Sequence, residues 1–443
     1  MKTMFLPDCV LLCIRTLENA GYEAYAVGGC VRDALLGLTP HDYDLCTDAT
    51  PAETARLFGH YTLVRSGEKH GTIGVVMEKQ VIEITTFRTE GGYQDSRHPG
   101  WVQFVPNVEE DLARRDFTVN AMAYSPSRGY IDPFGGQNDL QRGILRAVGD
   151  PQKRFSEDAL RILRGVRFAV RFSLTPEPDT LAAMKALSPL MDNLARERVF
   201  DELCKLLPLV TARDFATYAP VLTQVLPPLA PCVGFLQHNP HHLYDVYTHI
   251  AHTVEAAPPQ LAVRWAAVLH DCGKPRCFTL DEKGTGHFYG HGSISAQIAD
   301  ELLLLLKAPT ALRERVVFLI GQHMSLLEPD KKLLRRKLGK YGAEALTDLL
   351  ALQRADGIGT GTIGESDRSR AVSALIEEIL AEQSCLTIRD LAVNGKDLQE
   401  IGFTPAPQMG DCLQWLLEQV QDEVFPNEIQ ALLTAASQFL QKN

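Results

Sequence analysis

Apolar and polar residues alternate with two different spacings along the first 90 positions, and settle into one spacing afterwards. Residues 1–35 read as a helix, a strand at 25–27, a glycine turn and a second helix from about Val31. A short polar segment leads to Asp44, a helix begins near Pro51, and strands run from about Thr62 to Phe87. Within that stretch, residues 70–76 and 81–87 are β-branched runs joined by Glu78, Lys79 and Gln80, which predicts a hairpin. Residues 88–100 (RTEGGYQDSRHPG) are polar and glycine-rich, the pattern of a mobile loop rather than core. From about residue 110 the pattern is helical to the end, with loops expected at 124–140, 172–178 and 272–290. Pro227, Pro228, Pro231, Pro258 and Pro259 mark loops or boundaries, and residues 357–367 (GIGTGTIGESD) read as a flexible connector. No internal repeat is visible. The expected fold class is α+β: a small mixed α/β head followed by an all-α body.

With 443 residues the chain is too long for one hydrophobic core, so two or more domains are expected. Apolar residues make up 45% and charged residues 22%, which excludes disorder as the main reading. No stretch approaches the roughly 20 apolar residues of a membrane span, and the expected location is the cytoplasm. The ten cysteines include no C-x-x-C pair and suit reduced, buried thiols better than a zinc ribbon or a disulfide framework. A net charge of −11 argues against holding nucleic acid by bulk electrostatics. The basic residues are clustered, however. Arg142, Arg146, Lys153, Arg154, Arg161, Arg164, Arg167 and Arg171 form one group; Lys331, Lys332, Arg335, Arg336, Lys337 and Lys340 form another.

Three segments carry chemistry in the first half. Gly28 and Gly29 sit at a strand-to-helix turn, where glycines let the backbone approach a phosphate and Arg32 adds a charge-assisted contact. Asp42 and Asp44 lie two apart on an extended segment and so point to one side, a pair of hard oxygen ligands suited to Mg²⁺. Alone, each pattern is weak: a D-x-D is usually a solvated surface pair and a Gly-Gly usually a turn. Together, in this context, they are much stronger. Glu83 on the hairpin reads equally as a third carboxylate near the metals or as half of a cross-strand salt bridge. Around residues 157–168, Ile162, Leu163, Val166, Ala169 and Val170 fall on one helix face and Arg161, Arg164 and Arg167 on the other, with Asp158 one turn from Arg161. The plain reading is an amphipathic helix with an i,i+3 ion pair. The sharper one is a base-selecting pair, since a carboxylate accepts the amino group of C or A while a guanidinium donates to the adjacent ring acceptor.

The string GG-x-VRD followed by D-x-D resembles the nucleotidyltransferase superfamily that includes DNA polymerase β, and specifically the class II CCA-adding enzymes and bacterial poly(A) polymerases. Residues 111–121 (DLARRDFTVNA) resemble that family's R-R-D-F-T-x-N-A motif. The resemblance implies Asp42 and Asp44 as catalytic Mg²⁺ ligands, with Gly28, Gly29, Arg32 and Asn120 in the nucleotide site. It also implies that Arg115 contacts the triphosphate and that Asp116 helps place the ribose. The family's E-D-x-x-R motif maps onto Asp158 and Arg161, with Arg164 and Arg167 as phosphate contacts or supports. Residues 195–203 resemble the E-R-x-x-x-E-L motif, read as structural support. The segment at 88–100 keeps Arg88, Gly91, Tyr93, Asp95 and Pro99, which the resemblance links to switching from C to A addition; it departs at His98, where relatives often have Arg.

Downstream, residues 267–275 (AVLHDCGKP) resemble the HD-type metal phosphohydrolases. The resemblance implies His249, His270, Asp271 and Asp356 as ligands of a second divalent metal, with His291 and His323 as further candidates. Residues 386–398 resemble the C-terminal module of the CCA-adding enzymes. The expected organisation is a polymerase β-like head at 1–145, a helical neck and body at 146–230, an HD domain at 231–365 and a tRNA-binding tail at 366–443. The expected partners are tRNA, CTP and ATP, with no membrane and no DNA. The function so implied is template-independent CCA addition to tRNA. Three alternatives stand beside it: a poly(A) polymerase, an A-adding specialist, and a protein that is chiefly an HD phosphohydrolase.

Overall fold

The computed structural model describes residues 4–78, 80–91, 101–240, 242–361, 367–382, 384–404 and 407–442. Tyr93, Asp95, His98 and Pro99 lie outside the described residues. The chain divides into two compact units, one of residues 1–209 with 217–227 and the other of residues 210–216 with 228–443. No helix among the described residues is long and apolar enough to cross a membrane.

The first unit is built on a mixed sheet. Its early strands are β1 (Ala24–Val27), β2 (Asp44–Thr47), β3 (Thr62–Val64), β4 (Thr72–Met77) and β5 (Gln80–Thr86). β6 (Arg88–Gly91) and β7 (Trp101–Phe104) pair with each other as a separate antiparallel ribbon. β8 (Ala123–Ser125) and β9 (Gly129–Ile131) complete a seven-stranded sheet of order β3-β4-β5-β2-β1-β8-β9. Only β2 and β5 run parallel within it, and their register sets Asp44 beside Glu83. Alternation explains which face is core: along β5, Ile82 and Ile84 are buried while Gln80, Val81 and Glu83 are exposed. The predicted hairpin forms as β4 and β5.

Several expected loops carry more structure than their composition predicts. Residues 88–91 and 101–104 are strands, because Arg88 to Gly91 find partners in Phe104 to Trp101. The stretch 124–140 holds the β8–β9 hairpin and the helix Gly136–Gln141, with Asp132 accepting the N–H groups of Gly136 and Gln137 at the start of that helix. In 272–290, Thr279–Leu280 pairs with Gly286–His287. The expected connector starts late, since the helix Ala343–Gly359 runs through Gly357 and Gly359; residues 362–366 lie outside the described residues.

Helices follow the sheet in the first unit, and local signals set their starts. Asp150 accepts the N–H of Gln152 with Pro151 at the first helical position of Pro151–Glu157. Leu160–Arg171 then buries Ile162, Leu163 and Val166 completely. Its arginine side is not a solvated face: Arg161 is 7% and Arg167 6% exposed. Arg167 reaches the helix Arg196–Leu206, where its Nε lies 2.5 Å from Glu202 Oε2.

The second unit is helical. Trp265, within Leu261–Leu269, is its largest fully buried side chain. A separate cluster around Leu398, Cys412, Leu416 and Leu432 forms the core of the last helices. Three of the six basic residues of the helix Lys331–Tyr341 are paired: Lys331 with Glu378 and Glu382, Arg335 with Glu382 and Glu423, and Arg336 with Asp422.

Removing one partner of the buried Arg167–Glu202 pair strands the other charge. Arg167→Met should therefore destabilise the first unit by about 3–5 kcal/mol in urea denaturation, with much of the loss recovered by adding Glu202→Leu. Equal stability of wild type and the single variant would remove the pair from the account.

Candidate active site

A cavity of about 410 Å³ opens in the first unit, and β1, β2 and three helices set its walls. Its lining brings together Gly28, Gly29, Arg32, Asp44, Arg115, Asp116, Asn120, Asp158, Arg161, Arg164 and Arg167. Arg114, Leu160, Phe168, Arg171 and Arg198 also line it. Eight arginines against three aspartates make this wall strongly attractive to a polyanion, in a chain whose overall charge is −11.

Gly28 is required where it stands. It joins β1 to the helix Gly29–Leu35 with φ of +77°, and its N–H reaches Met122 O at 3.0 Å. A Cβ there would also lie 2.8 Å from Arg115 Nη1. Arg32 follows on that helix, donating to Asp33 Oδ1 at 2.7 Å and to Asn120 Oδ1 at 2.5 Å, with its guanidinium 4.1 Å from the centre of the Phe172 ring.

Asp116 fixes the middle of the wall. Its Oδ1 accepts the Phe117 N–H at 2.9 Å and the Asn120 amide at 3.0 Å, while Oδ2 accepts Arg164 through Nη2 at 2.7 Å and Nε at 2.9 Å. Burial alone would raise this carboxyl, but Arg164 and Asn120 outweigh it and hold the pKa at about 2. Asp111, fully buried, accepts from Arg114 at 2.9 Å and from Arg115 at 3.3 Å. The buried Nε of Arg115 has no partner, a donor aimed at nothing the chain supplies.

The expected Asp158–Arg161 ion pair is not formed. Asp158 lies between two helices in extended conformation, with φ of −142° and ψ of 103°, so helical i,i+3 spacing does not apply to it. Its Oδ1 accepts the Leu160 N–H and its Oδ2 accepts Arg198, each at 3.0 Å. Arg161 instead donates to Glu157 at 3.0 Å and to the carbonyls of Arg154 and Arg114, each at 3.1 Å. Glu157 and Arg198 were legible only as parts of motifs. Glu157 is four residues before Arg161, a spacing that does pair on a helix. Arg198 carried no local signal, because its partner is 40 residues away.

Asp44 stands at the cavity edge beside Glu83, and Asp42 precedes it on an exposed segment. The Asp44 side chain meets solvent, yet protein atoms crowd it. That desolvation, with Glu83 and Asp42 adding to it, raises its pKa against the pull of Arg115. No ion pair to Glu83 occurs among the described residues, so the cross-strand salt bridge is not formed. Asp44 and Glu83 are register partners on neighbouring strands, and Asp42 stands two residues before Asp44. Their carboxylates are the hard oxygen donors a divalent metal takes, although the three are not close enough in this structure to share one ion.

The second unit holds another cluster. His249 Nε2 lies 3.0 Å from Asp271 Oδ2 and 3.1 Å from Asp356 Oδ1, and His270 Nε2 lies 3.3 and 3.5 Å from the same two oxygens. Lys274 Nζ is 2.7 Å from Asp271 Oδ2. That oxygen is in ion-pair range of three groups but makes no well-directed hydrogen bond. Burial alone would raise the Asp271 carboxyl, but His270 and Lys274 hold it well below the ordinary range. Gly273 permits the turn after His270, since a Cβ there would lie 2.7 Å from His291 O. His249, His270 and Asp271 are close enough to share one ion.

Three family models match the chain: a poly A polymerase head domain over residues 24–146, an RNA and SrmB binding site of polymerase A over 173–213, and a tRNA nucleotidyltransferase domain 2 over 289–436. Among curated proteins, the CCA-adding enzyme of Limosilactobacillus fermentum is 34% identical over 96% of this chain and 95% of its own length. That of Levilactobacillus brevis is 35% identical over 96% of both. The crystal structure of the Bacillus stearothermophilus CCA-adding enzyme in complex with CTP is 28% identical, with a TM-score of 0.75 over 100% of this chain and 99% of that one.

Because Asp116 titrates at about 2 here against 3.8 when unfolded, its stabilisation is complete above about pH 4 and is lost as pH falls through 2. Asp116→Asn should lower stability at neutral pH and flatten its dependence between pH 4 and 2.5, read from urea midpoints. Parallel curves for wild type and variant would contradict the assigned shift.

Proposed function

The chain belongs to the CCA-adding enzymes, tRNA nucleotidyltransferases with a polymerase β-type head, and from that premise we propose how its own residues carry the reaction. CCA is added to the 3′ end of tRNA from CTP and ATP, with release of pyrophosphate. The observation that carries the residue assignment is the arginine-lined cavity beside Asp44 and Glu83. A poly(A) polymerase, an A-adding specialist and a protein that is chiefly a phosphohydrolase are not favoured, since the match to CCA-adding enzymes runs the length of the chain.

The tRNA 3′-hydroxyl attacks the α-phosphorus of the bound nucleotide, and the bond to pyrophosphate breaks. The fold depends on divalent metal; Asp42 and Asp44 would hold the cation, which we assign as Mg²⁺ and which would supply charge neutralisation and a lowered hydroxyl pKa. Arg115 offers its unpartnered Nε–H to the triphosphate, and Gly28 and Gly29 leave room for the phosphates. Asp116 acts on the nucleotide by fixing Arg164 and Asn120, and Asn120 in turn fixes Arg32.

Base selection falls to Asp158 and Arg161. Each Asp158 oxygen has a spare lone pair after its one named hydrogen bond, and Arg161 keeps N–H groups beyond the three it uses. A carboxylate accepts the amino group of C or A and a guanidinium donates to the neighbouring ring nitrogen; G and U present the wrong edges. Arg198 and Glu157 position the pair, and Arg167 braces the helix through Glu202.

We assign residues 1–145 to the head, 146–230 to nucleotide selection and RNA binding, 231–365 to an HD-type domain and 366–443 to the tRNA-holding tail. In the HD-type domain His249, His270, Asp271 and Asp356 would hold a second divalent metal, a reading supported by the convergence of their side chains. Ten free cysteines suit a reducing compartment, and the cytoplasm is the location we assign.

Purified enzyme with Mg²⁺, CTP and ATP should complete CCA on tRNAs ending before CCA, after C and after CC, and then stop, as read by sequencing the 3′ ends. A lone A on the last substrate only would make it an A-adding specialist. Asp42→Ala should abolish addition to all three; surviving addition would remove Asp42 from the mechanism. Arg198→Met, which releases Asp158, should lower kcat/KM for CTP and ATP by about tenfold or more, roughly 1.4 kcal/mol. Unchanged kinetics would show that Asp158 needs no positioning from Arg198.

A further inference from the structure

Arg161, assigned above to the base, and Arg115, assigned to the triphosphate, sit on separate elements, and a third arginine joins them. Arg154 lies on the helix Pro151–Glu157, whose Phe155 is fully buried with its ring 6.2 Å from that of Phe117. Arg154 does not line the cavity, and its side chain is 13% exposed. Its guanidinium is spread over separate acceptors. Nε donates to Val148 O at 3.3 Å and Nη2 to Ala113 O at 2.9 Å. Nη1 donates to Arg114 O at 3.3 Å and to Glu157 Oε2 at 2.8 Å.

The carbonyls of Ala113 and Arg114 need such a donor. They end the helix Val108–Ala113, and the last carbonyls of a helix have no partner within it. A guanidinium placed there satisfies them. The next residue is Arg115, whose buried Nε has no partner in the chain. Arg154 thereby fixes the backbone from which that arginine departs. Arg161 uses the same anchors: Nη2 donates to Arg114 O at 3.1 Å and Nη1 to Glu157 Oε2 at 3.0 Å. Its Nη1 also donates to the carbonyl of Arg154 itself, at 3.1 Å. Two guanidinium groups that share one carboxylate and one carbonyl divide them, so neither turns fully onto either. Without Arg154, Glu157 and both helix-terminal carbonyls fall to Arg161 alone, which draws its N–H groups away from the base.

We propose that Arg154 is a positioning residue for nucleotide choice. By sharing Glu157 and the Arg114 carbonyl with Arg161, it keeps the Arg161 guanidinium aimed at the base and ties it to the backbone of Arg115. The proposal rests on the base-selecting role of Asp158 and Arg161 given above, and adds the group that holds that role in place. An arginine is needed there, because a planar fork reaches acceptors on several sides while the ammonium of lysine is a single point. The tie also bears on rate. A base that seats Arg161 correctly leaves the Arg114 carbonyl held, and with it the geometry of Arg115 against the triphosphate. A base that displaces Arg161 loosens both. Selection is then felt in kcat as well as in the KM for nucleotide.

The test measures kcat and KM of the full chain for CTP and UTP separately, on tRNA ending before CCA. Arg154→Met should cut the preference for CTP over UTP, taken as the ratio of kcat/KM values, by about tenfold. The KM for tRNA should stay unchanged, with circular dichroism like that of wild type. Arg154→Lys keeps the charge, so it guards against a fold lost in the first variant, and it should lose the preference as well. Asp158→Ala checks the underlying reading and should abolish the preference. A residue that only supports the fold would slow both nucleotides alike and leave the ratio intact. A wild-type ratio in either Arg154 variant, with the preference gone in Asp158→Ala, overturns the positioning role and leaves base selection standing. A wild-type ratio in Asp158→Ala overturns base selection by that residue, and the role of Arg154 with it.

Discussion

Eight arginines cannot line one cavity unless something negative holds them, and here carboxylates, three of them buried, do so. Asp111 takes Arg114 and Arg115, Asp116 takes Arg164, Glu157 takes Arg154 and Arg161, and Glu202 takes Arg167. Asp111, Asp116 and Glu202 are buried and would be costly alone; each becomes tolerable by sharing a charge. The result is a wall of guanidinium groups whose directions are set before any nucleotide arrives. Asp116 matters most, because through Asn120 it also reaches Arg32 and so ties the glycine turn to the helix Leu160–Arg171.

Much of this was legible in the sequence because the motifs are contiguous. The glycine turn, the D-x-D and the R-R-D run each fall within a dozen residues, so local spacing implies local geometry. The β-branched hairpin was legible for the same reason. The Asp158–Arg161 ion pair was misread where local spacing fails: an i,i+3 pair presumes an unbroken helix, and Asp158 interrupts it by accepting the Leu160 N–H. Its true partner, Arg198, is supplied by a different helix, and nothing in the sequence joins positions 40 apart.

Loops were read from composition, and composition describes solvent exposure better than pairing. Gly129 and Ser125 look like turn residues and are turn-flanking strand residues, paired across the β8–β9 hairpin. The basic run at Lys331–Tyr341 looked like an RNA-binding surface in isolation. Three of its cations instead bind acidic residues more than 40 positions downstream. In both cases the missing information was long-range pairing. The histidine–aspartate cluster of the second unit fell between these extremes: the His-Asp dipeptide marked it, but only the fold brings His291 to the other oxygen of Asp271 and His323 against His291.

The arginine-lined pocket has a further consequence for how RNA is sampled. Eight arginines line a pocket of about 410 Å³ while the chain as a whole carries −11. A pocket of that size admits a chain terminus and excludes a duplex. An RNA whose 3′ end is held in structure cannot reach into the pocket and meets a chain of net charge −11, so it competes poorly. Discrimination against such RNAs is therefore exercised at the moment of encounter, ahead of any reading of shape or base.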